Sequence, residues 1–351
     1  MKQSLPGLPR ITTGSRLKLG TLRIHTGNKL PLDFNARDAF QMIAGKVAQR
    51  FADRSNRNDL STFWSIQCGM PSPVMRLEFA GHEACEQDLI EAEFGPSGLG
   101  IVHKFYSPVM RLLIHALRSR DVERIGVYLS PRLAREHPEQ HAALTAFSGS
   151  GIELVYASRI SELPTDCPIW FHAEHAELYD EHGRPRTDLS RHSLFWPAEQ
   201  GGSKSVLVGI NAIALDDVKN INKLDELFPS GFVVKRKHSR NGTDVHFCPS
   251  PNDISMGSMA SLNRRAREDV KTRNHIDSIL AQGMGYQYIA QPILSPPRIK
   301  VRGRTHNEHL VLFFVHNEGQ YQLRGGFGMS SPNRKVMLGP HSVVRPITLH
   351  S

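Results

Sequence analysis

The sequence predicts a mixed α/β (α+β) protein with more than one sheet and a small Rossmann-like parallel layer. Three observations carry that prediction. Within residues 75–101, Arg76-Leu77-Glu78-Phe79 and Leu89-Ile90-Glu91-Ala92-Glu93-Phe94 alternate polar and apolar side chains, the period of a pleated strand. Residues 124–171 read strand, helix, strand, strand, the spacing of a right-handed parallel crossover. The last fifty residues read as a β-meander over Glu308–Val315, Tyr321–Phe327 and Val336–Leu338, with Gly319 and Gly325-Gly326 at its turns.

The first of these stretches organises the rest. If its two runs pair, Arg76, Glu78, Glu91 and Glu93 converge on one face, and a divalent cation is the natural counter-ion for three acids in a half-buried sheet. Taken alone, the stretch fits a hydrated edge strand slightly better.

Composition bounds the class. A chain of 351 residues can hold two or three domains with buried cores. Its net charge of +9 suits an anionic ligand, nucleotide or nucleic acid, without choosing between them. Cys68, Cys85, Cys167 and Cys248 form no CxxC pair, which disfavours a zinc site or disulfide framework and makes a reducing cytoplasm the expected location. None of the 18 histidines falls in an HExxH pattern. No run of about 18 apolar residues is present, and the first residues lack the apolar core of a secretory signal, so no membrane association is expected.

Taken in order, residues 1–60 hold one helix, capped near Asp33, with Phe40, Ile43, Ala44, Val47, Ala48 and Phe51 at helical spacing. A strand at 63–67 precedes the acidic pair, whose second run ends in a turn over 95–100. A helix follows over Val109–Arg118. The α/β unit places strands at 124–129, 152–156 and 169–171, with a helix over 131–147. Asp180–Arg184 is a turn, and a helix opens near Gly201–Lys204 and runs through Ile210. Phe232–Lys237 and Asp244–Phe247 form a hairpin around the polar turn 238–243, and residues 249–263 read as a loop. Arg264–Leu280 reads as a basic helix and Tyr286–Ile293 as a strand.

Lys235, on a strand that enters a Gly-tipped polar turn, has the chemistry to sit over a polyphosphate, although no GxxxxGK[ST] loop is present and, taken alone, an exposed basic hairpin explains it better. Tyr288-Ile289-Ala290-Gln291 has the form of a strand that supplies an adenine edge. The helix over 264–273 invites a nucleic-acid reading, but Glu268 and Asp269 interrupt its charge and it lacks interleaved aromatics.

Together these pieces resemble the synthetase domain of the glutathionylspermidine synthase-like ligases, a circularly permuted branch of the ATP-grasp superfamily. That family's R-x-D and E-x-N strands are similar to Arg76-Leu77-Glu78 and Glu91-Ala92-Glu93, followed by Gly95-Pro96-Ser97. Its acidic-Gly turn and Trp segment resemble 180–183 and Phe195-Trp196-Pro197, and its Asn-Lys helix resembles Ser203-Lys204. Phe228-Pro229, the flap Lys235–Gly242, the strand Tyr288–Gln291 and, loosely, Arg324-Gly325-Gly326 follow in family order. Glu78 stands where the family has Asp, Glu93 where it has Asn, and Arg236 and Asn241 depart from its flap.

The resemblance implies an ATP-grasp fold with a pre-ATP-grasp layer. Its division is an N-terminal helical segment (1–60), metal-binding strands (61–105), an α/β domain (106–190) and a lid with nucleotide-binding region (191–351). It implies ATP and Mg2+, with Glu78, Glu91 and Glu93 as metal ligands. Lys204 and Lys235 would contact phosphates, and Gln291 and Ile289 the adenine. Arg76 and Arg240 would act at the reacting phosphoryl group, and Arg324 on a substrate carboxylate. The expected partners are a small-molecule or peptide carboxylate and an amine, a polyamine or amino acid among the candidates. The alternatives are an ATP-grasp protein that binds nucleotide without turnover, or a basic nucleic-acid-binding protein.

Overall fold

The longest strand explains most of the architecture. In the computed structural model, which describes residues 10–11, 16–19, 22–25, 29–55, 73–93, 98–104, 108–136, 139–172, 177, 204–237, 244–253, 264–333 and 342–349, one ten-stranded sheet gathers elements from both ends of the chain. Its strands, in chain order, include β1 (Arg10–Ile11), β2 (Arg16–Leu19), β3 (Leu22–His25) and β4 (Leu30–Leu32). Helix α1 (Phe34–Ser55) follows, then β5 (Val74–Phe79) and β6 (Leu89–Glu93). Asp33 caps α1 by accepting the Ala36 N–H at 2.7 Å. Phe40, Ile43, Ala44 and Val47 are buried as their spacing predicts.

Helices α2 (Leu99–Lys104) and α3 (Val109–Arg118) lead into the parallel layer. That layer has β7 (Arg124–Leu129) at its centre, flanked by β8 (Glu153–Ala157) and β9 (Ile169–His172), both parallel to it. The crossover from β7 to β8 carries α4 (Pro131–Glu136) and α5 (Glu139–Thr145) instead of one helix over 131–147. The turn expected over 95–100 gives way to α2 at Leu99, because Leu99, Ile101 and Val102 are buried apolar side chains. Gly100 makes that possible. A Cβ there would stand 1.7 Å from the Glu139 carbonyl oxygen, so only glycine lets α2 cross α5 this closely.

A second, four-stranded sheet holds β10 (Ile213–Ala214), β11 (Gly231–Arg236), β12 (Val245–Pro249) and β13 (Tyr288–Pro292), in the order β10-β13-β11-β12. Helix α6 (Ile221–Leu227) precedes β11, and α7 (Arg264–Ala281) covers one face of this sheet. The chain closes with β14 (Arg298–Val301), β15 (Arg304–Asn317), β16 (Gln320–Ser331) and β17 (Val343–Leu349).

Strand β15 pairs along its length with β16. Its other edge is shared: β14 takes 304–307 and β5 takes 310–315. One face of the resulting sheet meets α2, α3 and the parallel layer through Val311, Phe313, Phe327 and Trp170; the other meets α1 through Leu77, Phe79, Leu310 and Phe314. Each such fully buried side chain contributes about 1.5–3 kcal/mol.

The single helix expected over 1–60 is present as α1, but four short strands precede it. β1 pairs β14, and β3 and β4 pair β17. Those partners lie some 300 residues away, beyond the reach of local periodicity. The strands expected at 63–67 and 336–338 and the turns at 180–184 and 238–243 lie outside the described residues.

Candidate functional site

The alternation that singled out residues 75–93 is realised as an antiparallel pair. Arg76 stands opposite Glu93, and Glu78 opposite Glu91, so all four side chains share one face. The Arg76 guanidinium contacts all three acids: Nη2 is 2.9 Å from Glu91 and 3.4 Å from Glu78, and Nη1 is 3.2 Å from Glu93. His309 of β15 completes the group, with Nδ1 2.7 Å from Glu78 Oε1.

Among the described residues strand β6 pairs only with β5, and the second sheet docks side chains against its outer edge. The pairing skips Ile90, since Glu78 faces Glu91 while Phe79 faces Leu89. Lys235 Nζ donates to the Ile90 carbonyl at 2.8 Å, and Gln291 Nε2 donates to the Leu89 carbonyl at 3.1 Å. These two side chains come from neighbouring strands: Lys235 pairs with Ile289 and Val233 with Gln291, which sets Lys235, Ile289 and Gln291 on the face opposite α7.

Lys204 arrives on a single 3-10 turn, Lys204–Leu207, where the spacing predicted a helix through Ile210. The helix stops because Gly209 takes φ +79° and Arg50 of α1 donates to the carbonyls of Val208 and Gly209, at 3.0 and 2.7 Å. A Cβ at Gly209 would meet Arg50 Nη1 at 2.8 Å. The Lys204 amide donates to Lys237 O at 2.9 Å, and its ammonium stands 3.4 Å from Glu91.

The cluster is therefore self-neutralising, with Arg76, Lys204 and Lys235 set against Glu78, Glu91 and Glu93. Burial alone would push Glu91 up; Lys204, Arg76 and Lys235 reverse that and hold it at about 2. Burial pushes Lys235 down to about 8, partly offset by Glu91. Burial likewise opposes the charge on Arg76, but Glu93, Glu91 and Glu78 raise it above its ordinary value. All three acids are hard oxygen donors suited to magnesium. They close on the Arg76 guanidinium, however, and among the described residues no group of three His, Cys, Asp or Glu side chains is arranged to hold a metal ion. The charge argument for a divalent cation is thus met by the protein's own side chains.

Seven of the ten residues singled out from sequence share this neighbourhood: Arg76, Glu78, Glu91, Glu93, Lys204, Lys235 and Gln291. Ile289 is buried behind Lys235, on the same sheet face. Arg324 is placed elsewhere. It is the residue skipped where β16 slips against β15, it bonds to Gln322, and both burial and the nearby charge of Arg37 on α1 push its guanidinium down. Arg240 lies outside the described residues, as do Ser203 and the segment 195–197.

Two residues were not anticipated. His309 had only a weak signal, a polar residue immediately before the apolar run Leu310–Val315. Asn211 had none, because its role depends on the turn that Arg50 clamps.

The basic helix is less basic in space than in sequence. Arg273 is turned inward onto Asp225, donates to the Pro249 carbonyl and sits 5.7 Å over the Phe232 ring. Among the described residues no helix is long and apolar enough to cross a membrane. No protein-family model matches the chain, and no curated protein matches it.

Proposed function

We propose that this chain is an ATP-dependent carboxylate–amine ligase of the circularly permuted ATP-grasp type, with the nucleotide held between β6 and the second sheet. The observation that carries this reading is the convergence on β6 of Lys204, Lys235 and Gln291, from three distant segments, beside Arg76 of the adjoining strand β5. The sequence order, acidic strands before the lysine hairpin and the adenine strand, supports a permuted arrangement.

In this reading Lys204 and Lys235 leave Glu91 and the Ile90 carbonyl for phosphate oxygens. Gln291, with the backbone around Ile289, seats the adenine. A substrate carboxylate oxygen attacks the γ-phosphorus, the bond to the β-phosphate oxygen breaks, and ADP departs; Arg76 offsets charge on the transferring phosphoryl group. The amine nitrogen then attacks the acyl carbon, the carbon–oxygen bond to phosphate breaks, and the nitrogen gives up its proton. Arg240 on the flap would exclude water from the acyl phosphate. Glu78, Glu91 and Glu93 would be the carboxylate ligands of magnesium once Arg76 turns away from them, and the ion would offset the charge developing on the phosphates. A hold of Arg324 on the substrate carboxylate rests on the motif alone.

The test is phosphate release from ATP and magnesium across a panel of small-molecule and peptide acids with amines, amino acids and polyamines. Glu91→Gln should abolish it, and unchanged release in that variant would sink the site assignment. The self-neutralised acid cluster favours one second reading, a nucleotide-binding protein without turnover. Tight ATP binding with no phosphate release across the whole panel would select it.

A further inference from the structure

Four amide hydrogens beside β6 are accounted for, and one amide oxygen is not. Asn211 Nδ2 donates to the Gln87 carbonyl at 3.1 Å and to the Leu89 carbonyl. Gln291 Nε2 donates to the Leu89 carbonyl at 3.1 Å and to Asn211 Oδ1 at 2.7 Å. Both orientations follow from these partners. A flipped Asn211 would set its oxygen against two backbone carbonyls. A flipped Gln291 would set its oxygen against the Leu89 carbonyl and Asn211 Oδ1. Gln291 is only 2% exposed, and its Oε1 is a buried acceptor with no donor among the described residues. A buried acceptor left unmet is costly, and a ligand N–H is what would relieve it.

We propose that Asn211 is a positioning residue of the nucleotide site: it locks the Gln291 amide so that oxygen faces the base, and the site therefore selects a base bearing an exocyclic amino group over one bearing an oxo group. This rests on the nucleotide reading above and adds to it a residue, a direction and a specificity. The chain of control runs from backbone to ligand. Arg50 of α1 clamps the turn at Val208 and Gly209, the turn places Asn211, the carbonyls of Gln87 and Leu89 orient Asn211, and Asn211 orients Gln291. An adenine amino group donates to Gln291 Oε1. The 6-oxo group of hypoxanthine presents an acceptor to that same acceptor, with no flip available to relieve the clash.

The test compares ATP with inosine triphosphate, which replaces the amino group by oxo, by calorimetric titration of the full chain with magnesium present. The wild-type protein should bind ATP at least tenfold more tightly. In Asn211→Ala one of the two acceptors that oppose a turned Gln291 amide is removed and only the Leu89 carbonyl remains, so the ratio should fall at least threefold, chiefly through tighter binding of inosine triphosphate. A merely structural role for Asn211 would weaken both nucleotides together and leave the ratio intact. Gln291→Met removes the oxygen directly, and its ratio should collapse likewise, which keeps the test decisive if Asn211→Ala does not fold. Equal affinities in the wild type, or an unchanged ratio in the folded variants, would overturn the proposal while leaving the nucleotide site standing. Binding of neither nucleotide would overturn the site itself.

Discussion

Two neighbouring residues of β15, Glu308 and His309, point to opposite faces of one sheet and head two buried charge networks of different design. Glu308 is completely buried and belongs to a closed set. Arg345 grips it through two nitrogens, with Nε 2.7 Å from Oε1, and His82 Nε2 stands 2.9 Å from Oε2. Here one acid has one dedicated arginine. His309 opens onto the other network, where one arginine serves three acids and two lysines spend their donors on a carbonyl and a shared carboxylate. A dedicated pair holds strands together and has nothing left to offer. A shared arginine and exchangeable lysines can change partners when phosphates arrive, and that capacity, more than charge itself, separates a candidate site from a structural ion pair.

The comparison breaks most visibly at Arg76. Arg76→Met leaves one buried and two half-buried carboxylates to two lysines, and denaturant unfolding should show a loss of about 3–5 kcal/mol. The stabilisation by saturating ATP, about 2.7 kcal/mol at one hundred times Kd in the wild type, should vanish in the same variant. Arg345→Met strands one buried carboxylate beside His82. It should cost about 3 kcal/mol yet keep the full ATP increment, and loss of that increment would join the two networks after all.

A pH titration gives a smaller, directional effect. Burial pushes Glu308 up, but His82 and Arg345 outweigh it and hold the carboxyl below its ordinary 4.5. The pair's contribution is therefore complete above about pH 4.5 and lost as pH falls through the depressed value. Acid unfolding of Glu308→Gln should lack that portion of the slope. The smallest effect is expected at Lys223 and Glu226, an exposed pair 3.0 Å apart one helical turn from each other. Lys223→Ala should shift stability by less than about 0.5 kcal/mol.

Residues were legible from sequence where a local period decides the face. Alternation placed Glu91 and Glu93 on one face and, with the two runs paired, Arg76 and Glu78 beside them; the common face of Lys235 and Gln291 comes from the register of β11 against β13. Legibility failed where a single skipped residue or a distant partner decides. The slip leaves Arg324 with no residue opposite it on β15, and no alternation rule anticipates a one-residue offset. Gly209 ended a helix whose apolar spacing looked intact through Ile210, because the carbonyls that would continue it are claimed by Arg50. The lysines that face the acidic pair were illegible for the same reason. The sequence shows the acids side by side, but Lys204 and Lys235 reach them from 111 and 142 residues beyond Glu93.

The attachment of β4 to β17 has a consequence for how the protein is made. Leu30 lies beside Ile347, and Arg23 beside Val343, each in parallel register. On a ribosome adding about 5–20 residues each second, the first strands wait on the order of 15–60 s for their partners to be synthesised. During that interval Leu30 and Leu32, both buried in the finished sheet, sit on an unpaired edge. Nascent chains should bind a holdase chaperone through this segment, and the large sheet should close only once β17 has been synthesised.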